Sequence, residues 1–127
     1  MEAVFRVVLF LGGLIHLLPF SLAFLPQRIG SAYGVEVTGP DMMLLLRHRA
    51  VLFGIVGAVM LYSSLKKRYY VPATFAGLAS MLSFILLYGI IGGVNESLRS
   101  VMWVDVAASV ALASSAAVFL LRSGSRG

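Results

Sequence analysis

Residues 42–65 read MMLLLRHRAVLFGIVGAVMLYSSL and are followed directly by Lys66-Lys67-Arg68. This run is slightly longer than the ~20 residues that a helix needs to cross about 30 Å of hydrocarbon. Inside it stand three consecutive cationic or titratable residues, Arg47-His48-Arg49. An arginine at the centre of a membrane-spanning helix costs roughly 2.5–3.5 kcal/mol on insertion scales. The triplet therefore needs a partner, a lipid headgroup or a functional role.

Three further apolar runs of similar length cover approximately residues 4–25, 70–91 and 101–121. Of the 127 residues, 60% are hydrophobic and 12% are charged, whereas a soluble domain carries about 25% charged residues. Helices are the default because every backbone amide must be hydrogen-bonded inside lipid. We predict an all-α fold, a single integral membrane domain over residues 1–127 that forms a four-transmembrane-helix bundle. A cleaved signal peptide ending near Ala23 is the alternative for the first run, although a histidine in mid-run is unusual for one.

The distribution of cations predicts the orientation of this bundle. Short basic loops stay on the cytoplasmic side, and the second and third runs are joined by such a loop. With four spans, both termini lie on that side too, which we take to be the cytoplasm at a bacterial inner membrane. The inner side then holds Glu2 and six cations, namely Arg6, Lys66, Lys67, Arg68, Arg122 and Arg126. The outer side balances Arg28, Arg47, Arg49 and Arg99 against Glu36, Asp41, Glu96 and Asp105. The net charge of +5 thus indicates topology and not a nucleic-acid surface.

Several kinds of chemistry are excluded or lack a signature. The chain has no cysteine, which rules out disulfides, thiolate catalysis and cysteine-ligated metal centres. It has no Gly-rich phosphate loop, no Gly-x-Ser-x-Gly and no His-Glu-x-x-His. We therefore assign no catalytic residue and no metal ligand, and whether the protein is an enzyme stays open.

Helical geometry separates the two arginines of the triplet by about 200° around their helix. Arg47 shares a stripe with the small or short residues Ala50, Val51, Gly54 and Ala58, and small residues favour close helix packing in lipid. Arg49 shares a stripe with the larger residues Leu52, Phe53, Val56 and Met60, which we predict to face the lipid. We predict that Arg47 points into the bundle and that Arg49 extends to the headgroups.

Each of the other helices also carries one polar residue in its outer half or near its middle. The candidate ligand-binding residues are His16, Arg47, His48, Tyr88 and Asp105. Arg47 and Asp105 form either a static ion pair or a pocket that also contacts a ligand, unless Arg47 lies at the headgroups without a partner. We expect no cofactor; the alternative is haem b held by His16 and His48, from two neighbouring helices.

Two stretches, Gly13-Leu-Ile-His-Leu-Leu-Pro19 and Leu46-Arg-His-Arg-Ala-Val-Leu-Phe-Gly54, resemble a family of small bacterial four-helix membrane proteins without established function. The similarity covers nearly the whole chain and includes Ala32-Tyr33-Gly34. Such proteins often carry the label phosphopantetheine adenylyltransferase. That activity needs a His-x-Gly-His phosphate site on a soluble α/β fold, which this chain lacks. A looser similarity is to DoxX-like four-helix membrane proteins, some of them linked to quinone or thiosulfate oxidation.

Three functions are compatible with these observations. The first is a small accessory subunit that docks onto a larger membrane complex, or a homo-oligomer. The second is a binder of a lipophilic small molecule, a quinone or a lipid, in the outer-half pocket. The third is a DoxX-like oxidoreductase or isomerase in which His16 or Asp105 carries a proton. In every case the lipid bilayer is the expected environment, and no nucleic acid is expected as a partner.

Overall fold

The computed structural model describes residues 2–124, so Met1 and residues 125–127 lie outside it, including Arg126 of the predicted inner-side cations. The described chain is helical and contains no strand. Its helices are α1 Glu2–Phe20, α2 Ile29–Tyr33, α3 Pro40–Leu65, α4 Tyr70–Ile91 and α5 Glu96–Gly124. Short 3-10 turns at Ser21–Ala23, Pro26–Arg28 and Lys67–Tyr69 connect them.

Within residues 2–124, four helical segments are long and apolar enough to cross a membrane: Glu2–Ala23, Pro40–Leu65, Lys67–Ile91 and Glu96–Gly124. This confirms the predicted four-helix, all-α architecture. Two bounds differ by five residues: α1 ends at Phe20 and not at 25, and α5 begins at Glu96, before the predicted 101. The second difference has a local cause at the start of α5. Its first turn is polar, so hydropathy does not mark it as part of the helix. Asn95 caps it instead, because its Oδ1 accepts a hydrogen bond of 2.9 Å from the amide of Leu98.

Glycines bring α1 and α3 into close contact. A Cβ placed on Gly13 would lie 2.9 Å from the carbonyl oxygen of Gly57, and a Cβ on Gly57 would lie 2.8 Å from that of Gly13. Both distances are shorter than carbon–oxygen contacts normally allow, so only glycine fits at either position. This is the small-residue packing that stabilises helix pairs in lipid.

The buried face of α3 differs from the predicted one. Met60, assigned from its stripe to the lipid, is fully buried, whereas Val51 and Ala58 of the predicted packed stripe are exposed. Met60 fits into a notch between α1 and α4, because Cβ atoms on Gly12 and Gly77 would lie 2.6 and 2.9 Å from its Cε. The predicted orientation of α3 was wrong because the sizes of its own side chains contain no information on the notches that glycines form on neighbouring helices.

Both described chain ends and the basic turn meet at one end of the bundle, here called the basic end (Arg6, Lys66, Lys67, Arg68 and Arg122). Arg6 Nε donates to the carbonyl of Ser64 at 2.8 Å, and Tyr70 Oη donates to Glu2 Oε1 at 3.3 Å. Beneath them the rings of Phe5, Tyr70 and Phe119 pack with centroids 5.0–5.7 Å apart. The opposite end, formed by residues 21–39 and 92–95, is called the loop end.

One side chain ties the connections of the loop end together. Asn95 Nδ2 donates to the carbonyl oxygens of Tyr33 and Gly34, each at 3.0 Å. Gly34 ends α2 with a φ of +63°, a left-handed conformation that glycine adopts without a steric penalty. Asn95 therefore holds α2 against the start of α5 while it caps α5.

Candidate ligand-binding site

A cavity of about 390 Å³ lies between α1, α3 and α5, beneath α2. We call it the loop-end cavity. Most of its wall is apolar, and its polar side chains are His16, Ser21, Tyr33, Arg49, Ser100 and Asp105. Arg49 and Asp105 each stand nine residues after the first residue of their helix, which places them about 14 Å along the helix axis. Counted from the predicted starts of the apolar runs at residues 42 and 101, the two side chains lie about 10 and 6 Å inside the outer half of the predicted hydrocarbon layer.

Arg49 is packed among aromatic rings from three different helices. Its Cζ lies 4.8 Å from the ring centroid of Phe53, 5.2 Å from that of Phe84 and 5.3 Å from that of Tyr33. Each distance is within the range in which a ring face attracts a cation. The prediction that Arg49 extends to the headgroups was wrong, because these rings hold its guanidinium inside the bundle.

Arg47 takes the peripheral position instead. Its side chain is exposed and does not line the loop-end cavity. Its Nε and Nη2 donate to the carbonyl oxygen of Ala23 at 3.0 and 2.8 Å, where the 3-10 turn after α1 ends. The predicted inward orientation of Arg47 and its ion pair with Asp105 are therefore wrong, and this arginine fastens α3 to the end of α1.

Asp105 lies in the cavity wall and is 8% exposed. Within residues 2–124 its carboxyl group takes part in no hydrogen bond or ion pair. Arg49 is the charged group that acts on it electrostatically. The guanidinium of Arg49 likewise donates no hydrogen bond to any described residue. Two opposite charges therefore face the same cavity without a direct bond between them.

His16 is buried, at 3% exposure, on the α1 side of the same cavity. Its Nδ1 donates to the carbonyl of Gly12 at 2.8 Å, because a carbonyl oxygen only accepts. Its Nε2 lies 3.1 Å from Ser80 Oγ on α4, so the imidazole links two helices.

The two histidines do not fit the haem arrangement considered from the sequence. Both ring nitrogens of His16 are engaged, and His48 is exposed on the surface. No cluster of three metal-ligating side chains occurs in the described part of the chain.

The structure brings together His16 and Asp105 of the five predicted site residues. Arg47 and His48 are exposed, and Tyr88 is half-buried on α4 away from the cavity wall. The sequence reasoning missed Arg49, Tyr33, Phe53 and Ser80. One signal was available, since Arg49 and Phe53 are four residues apart and hence neighbours on a helix surface.

Tyr33 contributes a phenol to the cavity wall from outside the four segments that are long and apolar enough to cross a membrane. Burial raises the pKa of this phenol above its ordinary value, although the nearby Arg49 opposes the rise. Tyr33 is therefore uncharged at physiological pH and presents a hydroxyl that can donate or accept a hydrogen bond.

Comparison with known proteins adds no assignment to this geometry. The sequence matches no protein-family model, and searches of curated proteins and of solved structures gave no match. The resemblance drawn from the two sequence stretches above therefore stays a prediction, and the function must be argued from the site.

Proposed function

We propose that the protein is a multi-pass protein of the bacterial inner membrane, with its basic end and both termini in the cytoplasm. The support is the meeting of the basic turn with the start of α1 and the end of α5, together with the charge balance of the opposite end. This is the distribution that the positive-inside rule describes.

The absence of cysteine makes this orientation easy to test with single-cysteine variants. Lys66→Cys lies at the basic end and Glu36→Cys at the loop end, and both side chains are exposed. In intact cells with a permeabilised outer membrane, a membrane-impermeant maleimide should label Glu36→Cys and leave Lys66→Cys unlabelled. The reverse pattern would contradict the proposed topology.

We propose further that the loop-end cavity binds a lipophilic molecule with a compact polar head, such as a quinone or a lipid. The observation that carries this proposal is the guanidinium of Arg49, which lines the cavity without a hydrogen-bond acceptor among residues 2–124. A guanidinium has five N–H donors, and a polar group left unpaired in an apolar environment is costly. A charged residue at this depth suggests a functional site by default.

The composition of the wall limits the chemistry of the ligand. An oxygen acceptor on the ligand head would receive hydrogen bonds from Arg49, and a hydroxyl or amide on it could donate to Asp105. A head without net charge leaves the two protein charges balanced. An added anion would be attracted by Arg49 but repelled by Asp105.

The apolar walls indicate where the rest of the ligand lies. Leu18 on α1 and Val104 on α5 line the cavity and are also exposed on the outside of the bundle, Leu18 by 72%. An apolar tail could therefore leave the cavity between α1 and α5, directly into the hydrocarbon. The same opening would let the ligand enter from the bilayer without crossing water.

The test compares two arginines on one helix. The protein is purified in a mild detergent, and co-purifying hydrophobic molecules are extracted and quantified by mass spectrometry for the wild type, Arg49→Gln and Arg47→Gln. Hydrogen bonds to a charged group contribute about 1.5–3 kcal/mol. Arg49→Gln should therefore retain about one tenth of the ligand that the wild type retains, or less. Arg47→Gln should retain the wild-type amount. Equal retention in all three proteins would overturn the proposal.

A second variant separates ligand binding from a purely structural charge pair. Replacing a structural pair by two apolar residues is often neutral or stabilising. If the double variant Arg49→Leu/Asp105→Leu is as stable as the wild type and keeps the co-purified molecule, the charge pair is structural. The molecule then binds somewhere other than the loop-end cavity. We expect a stable protein that has lost the molecule.

The accessory-subunit and oxidoreductase roles stay predictions. A stoichiometric protein partner in the same purification would favour the accessory-subunit role.

A further inference from the structure

A second cavity, of about 460 Å³, lies between α4 and α5 near the basic end. We call it the basic-end cavity. It shares no lining residue with the loop-end cavity among the described residues. Its inner wall contains the buried rings of Phe5, Tyr70 and Phe119, and it reaches Leu78 on α4. The distance from Tyr70 to Leu78 along the helix is about 12 Å.

The shape of this cavity suits one hydrocarbon chain of a single leaflet. Half of a ~30 Å hydrocarbon core is about 15 Å, close to the length of the groove. Its outer rim is formed by Val71, Phe75 and Leu120, which line the cavity and are exposed by 66%, 75% and 55%. The groove is therefore open along the side that faces the lipid.

The mouth of the groove is positively charged. Lys67 lines it, and its Nζ lies 5.7 Å from the ring centroid of Phe119. Lys66 and Arg68 flank Lys67 in the sequence, and no described residue of the lining is acidic. Glu2, the acid nearest in the fold, accepts a hydrogen bond from Tyr70. An anionic group at the mouth therefore meets cations without an opposing carboxylate in the wall.

We propose that the basic-end cavity binds an anionic phospholipid from the leaflet at the basic end. Its phosphate lies at Lys67, and one acyl chain fills the groove between α4 and α5. Basic pockets between transmembrane helices are known to recognise anionic headgroups. The long apolar groove beneath the charge favours a phospholipid over a free anion, and the charge favours an anionic lipid over a zwitterionic one. This proposal requires membrane insertion but does not depend on a ligand in the loop-end cavity.

The experiment measures lipid selectivity in a matched pair of variants. The full chain is reconstituted in bilayers of equal phosphatidylglycerol and phosphatidylcholine, released gently, and examined by native mass spectrometry. The wild type should retain phosphatidylglycerol preferentially. Lys67→Gln should lose roughly fivefold in this preference, the factor that corresponds to about 1 kcal/mol per cation at a membrane surface. Lys66→Gln removes the same charge one residue away from the cavity and should keep most of the preference.

Three outcomes would overturn the proposal. Equal losses in the two variants would mean that the basic end attracts anionic lipid without a defined site. Displacement of the bound lipid by millimolar glycerol 1-phosphate would identify a site for free anions. A homodimer that excludes lipid from the exposed rim would mean that a second copy of the chain covers the groove. Circular dichroism of all three proteins checks that the two exposed substitutions leave the helices intact.

Discussion

The two halves of the bundle bury different kinds of side chain. Near the basic end, the buried core consists of stacked and edge-on rings, Leu9, and Met60 in its glycine notch. Near the loop end, the interior contains a buried carboxyl group, a histidine and an arginine surrounded by rings. In the first half the buried side chains are held by complementary apolar shapes, whereas in the second half charged and polar side chains face a largely apolar cavity.

This difference leads us to predict which buried side chains the fold does not require. In lipid, helix association depends on close packing and on hydrogen bonds, because apolar side chains gain little by leaving an apolar solvent. The basic half satisfies this requirement without any buried charge among the described residues. The loop half contains charges that packing does not require, which is why we interpret it as the functional half.

The largest expected effect comes from breaking the helix contact on which both halves depend. Gly57→Leu should prevent stable folding, because even its Cβ would lie 2.8 Å from the carbonyl oxygen of Gly13. The measurement is thermal unfolding in detergent followed by circular dichroism. Gly89→Leu is the control, since nothing lies within 4 Å of a Cβ at Gly89. Similar behaviour of the two variants would contradict the close α1–α3 contact.

The next effect should separate stability from ligand binding. Phe5 is 1% exposed and packs against two rings. Phe5→Ala should destabilise the protein, but by less than the ~3–5 kcal/mol typical of water-soluble cores, because in lipid the lost packing and the cavity are the main costs. The folded fraction should keep its loop-end ligand. Phe10→Ala, at an exposed position on the same helix, should change stability little. A loss of ligand from folded Phe5→Ala would mean that the two halves are coupled.

A smaller effect tests the connection between α2 and the cavity. Asn95→Ala removes the cap of α5 and both hydrogen bonds to α2, at a cost of about 1 kcal/mol for the cap. Asn95→Asp keeps the capping oxygen and loses only the donors. Both variants should therefore lose the bonds to α2 and show faster amide hydrogen exchange in residues 29–34, while only Asn95→Ala should also lose the stability that the cap provides. Unchanged exchange would show that Asn95 does not hold α2.

The smallest effect concerns the hydrogen bond between α1 and α4. A double-mutant cycle of His16→Ala and Ser80→Ala should give a coupling of about 0.6 kcal/mol, typical of such bonds inside membranes. Ser83→Ala replaces Ser80→Ala in the control cycle, because the Ser83 hydroxyl bonds the carbonyl of Ser80 on its own helix. A coupling energy equal to that of the control cycle would contradict a hydrogen bond between His16 and Ser80.

The candidate site was predicted in part. His16 and Asp105 were identified because a polar residue inside a long apolar run is costly wherever the helix faces, so its presence alone is informative. Arg49 was placed wrongly because its orientation was inferred from residue sizes on its own helix. The rings of Tyr33 and Phe84 that hold it belong to other helices, and sequence periodicity contains no information on their positions.

Length, hydropathy and the distribution of cations along the chain were sufficient to predict the four apolar helices and the basic turn between the second and the third. These are local properties, and each helix satisfies its own backbone hydrogen bonds wherever its neighbours lie. The rotation of each helix was decided only in the tertiary structure. Successive residues differ by about 100° around the axis, so the fit of Met60 between Gly12 and Gly77, and of Arg49 among its rings, determined which arginine entered the bundle.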